Sequence, residues 1–228
     1  MNIKILDKYL YGSRLYGTHR EDSDWDYIAI VLEYPETGSL LEKEDKTYHL
    51  YSLEDHAKAM LNHDVAIIES MYLNNKIPNF FRLDKGKLRE SFSTVSNHSW
   101  VKGYKKLTVH FDYDKLAGIK SIFHSIRITD YGIQLADQGR IYKKDRYNYI
   151  MKDLYYLAEK YEREELWNII ESKYKKLWKD LRHEFKMLCP KSNLRGFSEK
   201  EKVRTVLINN GINKPSKKLI KELIEIFQ

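Results

Sequence analysis

The stretch Gly12-Ser13-Arg14-Leu15-Tyr16-Gly17, followed by Ser23-Asp24-Trp25-Asp26 and the apolar run Tyr27-Ile28-Ala29-Ile30-Val31-Leu32, decides how this chain is read. The apolar run is rich in β-branched residues, carries no charge and ends before Pro35 and Gly38, which marks a buried strand. Side chains on a strand alternate with period two, so a strand entered at Trp25 points Asp24 and Asp26 to the same side. Two carboxylates facing one spot repel unless a cation lies between them. Hard oxygen ligands select magnesium or manganese, which in turn grip phosphate oxygens. Gly12 lets backbone approach a phosphate closely, and Ser13 offers a hydroxyl and an N–H. The ligand these residues imply is a metal-bound nucleoside triphosphate.

The same residues carry a resemblance. Gly12-Ser13, ten residues, Asp24-x-Asp26 and then an apolar strand is similar to the signature of the polymerase β nucleotidyltransferase superfamily. With Gly17 and Ser23 also in place, the first thirty or so residues resemble the branch of predicted nucleotidyltransferases common in phages and bacteria, which reads Gly-Ser-x-x-Tyr-Gly-x-x-x-x-x-Ser-Asp-x-Asp. The resemblance implies an enzyme that moves a nucleoside monophosphate from a triphosphate such as ATP to an acceptor hydroxyl and releases pyrophosphate. It also implies two magnesium ions, or manganese, held by Asp24 and Asp26. A third carboxylate is usual in this superfamily, on the strand beside the pair, where it shares a metal and takes the proton of the attacking hydroxyl. Here the sequence departs from the pattern. Aligning Tyr51-Ser52-Leu53 with a similar Tyr-Ser-Leu puts Thr47 where aspartate is expected. Asp45, two residues upstream on the same face, is the residue assigned to that role, with Glu54, Asp55 and Glu69 as other candidates.

Composition sets the frame. At 228 residues there is material for one large domain or two small ones with an ample core. The single Cys189 cannot form an internal disulfide, and no run has the length of a membrane span or the layout of a secretion signal, so the expectation is a soluble protein of the cytoplasm, the host's if phage-encoded. The net charge of +7 is unevenly placed: 12 Lys+Arg face 16 Asp+Glu in residues 1–100, and 28 face 17 in residues 101–228, giving −4 and +11. An acidic front suits metal binding, and a basic rear suits a polyanion, either RNA or the triphosphate, although solvated lysine on helix faces gives the same count.

Along the chain, residues 2–11 read as a short strand reaching Gly12, and 13–18 as a short helix whose N-terminus points at phosphate. Arg14, His19 and Arg20 are near enough to assist, or are plain loop polarity. A further strand is expected at 46–53, then helices at 54–62 and 65–73. From Ser93 the pattern is helical, at 93–109, 113–128, 147–160 and 162–188. Lys120, His124 and Arg127 fall at i, i+4 and i+7 on one helix face. A similar Lys-x-x-x-His-x-x-Arg follows the catalytic unit in the family, which implies a cation stripe for the β and γ phosphates; read from the residues alone it is equally a surface helix with a core histidine. Tyr104, Lys105 and Lys106 invite base stacking or simple packing, and residues 142–146 look like a basic turn. Ser198-Glu199-Lys200-Glu201 is a capping box opening a helix to Asn210 with Gly211 as its stop, and 216–227 is a last amphipathic helix.

The expectation is therefore an α+β protein: a nucleotidyltransferase unit at 1–92 on a small mixed sheet, then a basic helical unit at 93–228. Asp24, Asp26 and Asp45 are its catalytic and metal-binding residues. Gly12, Ser13, Arg14, Lys120, His124 and Arg127 are its nucleotide-binding residues, and an RNA 3′ end is its acceptor. A protein or small-molecule acceptor, or a binding module without turnover, are the alternatives. Oligomeric state is not legible.

Overall fold

A computed structural model describes residues 3–32, 40–189, 216–219 and 221. Residues 1–190 form one compact unit and 191–228 another. Among its described residues the first unit has a four-stranded mixed sheet followed by helices. The strands are β1 (Ile5–Tyr11), β2 (Trp25–Val31), β3 (Leu40–Lys43) and β4 (Lys46–Ser52), in the order β1-β2-β4-β3. β2 is antiparallel to β1 and parallel to β4, and β3 runs antiparallel to β4 on the edge. β3 was not expected from the sequence: its four residues carry no β-branched side chain, and pairing with β4 alone defines it.

β2 is buried on both faces, which is why it reads as an unbroken apolar run. Ile28 and Ile30 join the main core under the helices, whereas Ala29 and Val31 pack with Tyr48 and Leu50 on the opposite face. Asp26 shares the face of Ile28 and Ile30, and on β4 the parity of Leu50 puts Thr47, His49 and Tyr51 on that same face.

The helices begin where short polar side chains can cap them. Ser52 accepts from Asp55 N at the start of α2 (Leu53–Leu61), and Asp64 from Ala66 N and Ile67 N at the start of α3 (Val65–Leu73). Asp84 caps α4 (Lys85–Thr108), and Asp114 caps α5 (Lys115–Gln138). A single turn, α1 (Gly12–Tyr16), lies between β1 and β2, and α6 (Asn148–Lys160) and α7 (Arg163–Leu188) follow α5. α4 starts eight residues earlier than the apolar pattern suggests, and the expected boundary at 92/93 falls inside it. The expected helix at 198–210 lies outside the described residues. Of the last one only 216–219 and 221 are described, with Ser216 Oγ accepting from Leu219 N. Among the described residues no helix is long and apolar enough to cross a membrane.

α4, α5 and α7 pack around a buried polar node. Ser96 Oγ donates to the Ser125 carbonyl, pairs with Thr129 Oγ1 at 2.8 Å and accepts from Trp178 Nε1 at 3.0 Å, while the Trp100 and Trp178 rings stack 4.4 Å apart. Close approach of α4 and α5 rests on glycines: a Cβ at Gly118 would lie 2.6 Å from Leu107 Cγ. Leu107→Ala should therefore cost about 2–5 kcal/mol. Gly118→Ala alone should destabilise, because about 1–3 kcal/mol of overpacking outweighs the gain in helix propensity of about 1 kcal/mol. In the Leu107→Ala background the added methyl enters vacated space and should stabilise. Urea unfolding of the singles and the double checks this change of sign, and a double variant less stable than Leu107→Ala would contradict the packing.

Candidate functional site

The site is built where β1 ends, α1 turns and β2 begins. Tyr11 is extended, and Gly12 then takes a positive φ of 73°, a conformation that favours glycine. A side chain there is also excluded by space: a Cβ on Gly12 would fall 2.2 Å from Asp26 Oδ2. The carboxylate of Asp26 thus rests against bare backbone at the start of α1, whose first N–H groups have no intrahelical acceptor. Gly17, again with φ 73°, closes the turn through its N–H to the Ser13 carbonyl, which also accepts from Thr18 N at 2.9 Å.

Asp24 is exposed and sits one residue before β2. Among the described residues neither the Asp24 nor the Asp26 carboxylate forms an ion pair with lysine or arginine, and the Asp26 carboxylate has His49 beside it, whose Nε2 is 3.9 Å from Asp26 Oδ1. His49 is held edge-on by the Tyr11 ring, 5.4 Å away. It is a site residue that the sequence reading missed, although its parity with Thr47 on β4 was the available signal.

Asp45 is not brought to the pair by its carboxylate. It lies in the β3–β4 turn, its carbonyl accepts from Trp25 N, and its side chain is exposed 3.7 Å from Lys46 Nζ. The residue in register with Asp26 on β4 is Thr47. Among the described residues no group of three or more His, Cys, Asp or Glu could hold a metal ion. A pair of acids is still a sufficient protein contribution for magnesium, which keeps several waters and completes its shell with substrate phosphates.

The expected nucleotide-binding cations are differently employed. Arg14 donates from Nε to the Asp24 carbonyl at 3.1 Å and from Nη2 to the Ser23 carbonyl at 2.5 Å, and its guanidinium stacks on Trp25. It fixes the loop that delivers the acids. Lys120 is exposed on α5, His124 is partly buried and Arg127 is buried, so the three do not form one solvent-facing stripe. Arg127 points inward because Glu69 is there: its Nη1 meets Glu69 Oε2 at 3.2 Å, with side-chain exposures of 3% and 0%. Tyr16 of α1 donates to the same carboxylate at 2.9 Å, and the Arg127 guanidinium lies 3.3 Å from the Tyr16 ring centroid. Glu69, one of the candidate acids, is thus a core partner that anchors α1 from behind.

The electrostatics of this cluster follow from burial. Burial pushes the Glu69 carboxyl above its usual range, with the Arg127 charge and the Tyr16 hydroxyl pulling it back. Burial works against the Arg127 charge too, but Glu69 and the surrounding tyrosines outweigh it and hold the guanidinium above its usual value. His124 is held well below the imidazole range by burial and by the charges of Arg127 and Lys102, so it is neutral at pH 7. Arg127 Nη2 donates to His124 Nδ1 at 2.6 Å, which puts the imidazole proton on Nε2. Two further residues complete the support: Lys144 of the α5–α6 connection donates to the Leu15 carbonyl, and Asn148, the first residue of α6, to the carbonyls of Tyr16 and Gly17. No local signal marks Asn148; only the fold brings it across 132 residues.

No family model, curated protein or solved structure matches the chain.

Arg127→Met leaves Glu69 buried without its cation and should destabilise by about 3–5 kcal/mol at pH 7. With the Arg127 charge gone, burial outweighs the Tyr16 hydrogen bond and raises the folded pKa of Glu69 further above its unfolded value of about 4.3. Such a group contributes its full stability below the unfolded pKa and loses it as pH rises through the folded one, so the gap to wild type should narrow as pH falls from 7 toward 4. Glu69→Gln combined with Arg127→Met should recover most of the loss at pH 7 in urea melts. A gap independent of pH, or no recovery, would contradict the buried pair.

Proposed function

We propose that this protein is a magnesium-dependent nucleotidyltransferase that joins the α-phosphate of a nucleoside triphosphate to a hydroxyl of an RNA end. The observation that carries the reading is the seat of Asp26: an acid without a lysine or arginine partner among the described residues, pressed against a glycine at the start of a helical turn whose first N–H groups have no intrahelical acceptor. A carboxylate seated on bare backbone, with a second acid two residues before it, suits a divalent cation that completes its shell with phosphate oxygens.

On this reading Asp24 and Asp26 hold the metal, and Gly12 and Ser13 lie along the triphosphate. Bound magnesium would neutralise phosphate charge and orient the α-phosphorus for in-line attack. The acceptor oxygen forms a bond to the α-phosphorus as the bond to the bridging oxygen breaks, and pyrophosphate leaves with the electron pair. The hydroxyl proton needs a base. Thr47 cannot serve at the strand position beside Asp26, and His49 is the basic side chain on that face, of the type most used for this task. Arg14, Arg127 and Glu69 act by holding the loop and α1 in position, as the packing around them supports.

The test is incubation with magnesium, α-labelled nucleoside triphosphates and RNA. Wild type should label RNA, and Asp24→Ala and Asp26→Ala should each lose about a hundredfold or more in rate. Equal transfer by all three would refute the assignment. Label running at protein mass would indicate a protein acceptor, and label left on neither macromolecule a small one. Thr47 in register with Asp26 favours one second reading, a nucleotide-binding module without turnover, which predicts retention of nucleotide with no pyrophosphate released.

His49→Gln should slow transfer while leaving nucleotide affinity within about twofold, since a positioned base contributes about 10²–10⁴-fold to rate. The comparison of kcat with the affinity for ATP and magnesium checks it. An unchanged kcat would remove His49 from the mechanism.

A further inference from the structure

The α5–α6 connection from Arg140 on and the first two residues of α6, Arg140-Ile141-Tyr142-Lys143-Lys144-Asp145-Arg146-Tyr147-Asn148-Tyr149, hold four cations, one acid and three tyrosines. A loop of that composition would ordinarily be loose, yet this one is fastened to α5 from within. Gln134 Oε1 accepts from Tyr142 N and Lys143 N at 3.0 and 2.9 Å, and its Nε2 donates to the Lys143 carbonyl. Tyr131 donates to the Lys144 carbonyl, and Arg146 is clamped on Asp130 at 2.8 Å. Gln134, Tyr131 and Asp130 are all buried, so core hydrogen bonds are used to hold a surface segment still. The segment is also tied to the site, because Lys144 and Asn148 donate to carbonyls of α1 and Gly17.

What this fixed backbone presents outward is aromatic and basic. Tyr142 and Lys143 are exposed on the loop, and α6 continues the surface with Tyr149, Lys152, Tyr156 and Lys160, exposed at steps of three and four residues. Lys160 Nζ lies 4.0 Å from the Tyr156 ring centroid. Of the acids on α6, Asp153 is neutralised by Lys173 at 2.7 Å, and Glu159 is exposed beside Lys160. The start of α6 borders the turn that precedes the loop leading to Asp24, since Asn148 donates to the Gly17 carbonyl at 3.3 Å.

We infer that the α5–α6 connection and the exposed face of α6 bind single-stranded RNA, with Tyr142, Tyr149 and Tyr156 stacking unpaired bases and Lys143, Lys152 and Lys160 tracking the phosphates. Exposed rings offer a face to any base, and cations interleaved with them suit a strand whose charges lie along one edge. Residues 101–190 carry 19 Lys+Arg against 13 Asp+Glu, a net +6 of the sign that a polyanion requires. Pre-ordering of the loop lowers what binding would otherwise lose in side-chain and backbone freedom. The inference rests on the transferase reading only for the strand's purpose, which is to bring an acceptor end beside α1.

The test uses the full chain and a short fluorescein-labelled single-stranded RNA, followed by anisotropy without nucleotide or metal. Tyr149→Ala and Tyr156→Ala should each weaken binding about fivefold or more, while duplex RNA, whose bases are already stacked, competes about tenfold less well. Lys152→Gln should lower the slope of log affinity against log salt by about 0.7. Phe111→Ala, which removes a ring that is 94% exposed on the α4–α5 connection, should leave affinity unchanged. Absence of binding by wild type, wild-type affinity in both tyrosine variants, equal competition by duplex, or equal displacement by polyglutamate would overturn the assignment, the last in favour of an acidic protein partner. Because metal and nucleotide are left out, that failure leaves the transfer assay standing. Loss of transfer with RNA binding intact would instead overturn the transferase reading alone.

Discussion

The contact between the Asp26 carboxylate and the bare α-carbon of Gly12 is the constraint on which the rest of the site depends. A carboxylate oxygen occupies the place where any other residue at position 12 would carry its Cβ, and the positive φ excludes other residues a second time. Such proximity requires that α1 be held firmly against the end of β2. The hold comes from behind: Tyr16 is pinned by Glu69 of α3 and stacked under Arg127 of α5, and from the side Lys144 and Asn148 fasten the α1 carbonyls. The helices following the sheet thus serve the site by fixing a five-residue turn that has no length to stabilise itself.

This arrangement recasts the cations. Arginines near an expected phosphate site are naturally read as phosphate ligands, but a buried guanidinium gains most where a carboxylate and aromatic faces already surround it. Arg127 has Glu69, Tyr16 and Tyr131, and Arg14 has two carbonyls and Trp25. Both stabilise the geometry that carries the acids, and the neutral His124 follows from lying beside one of them.

The sequence displayed the parts that depend on local chemistry. The Gly-Ser turn, the apolar run of β2 and the period of α6 and α7 are properties of neighbouring residues, and each is found where those residues place it. β3 was invisible because an edge strand of Leu40, Leu41, Glu42 and Lys43 exists through its partner. The first two turns of α4 were overlooked because Lys85, Gly86 and Lys87 mask the pattern, although Asp84 is a capping residue in plain sight. The inward turn of Arg127 was beyond reach, since Glu69 stands 58 residues away and a stripe at helical spacing looks the same whether it faces solvent or core. At Asp45 the parity of the strand no longer applies, because the chain there has already entered a turn.

The central claim is that Asp26, seated on Gly12, holds a divalent ion together with a triphosphate. Manganese binding read by proton relaxation, with and without a non-hydrolysable ATP analogue, addresses it directly. Wild type should bind the ion much more tightly when the analogue is present, and Asp26→Asn and Gly12→Ala should both lose that enhancement. Enhancement of equal size in all three proteins would contradict the account.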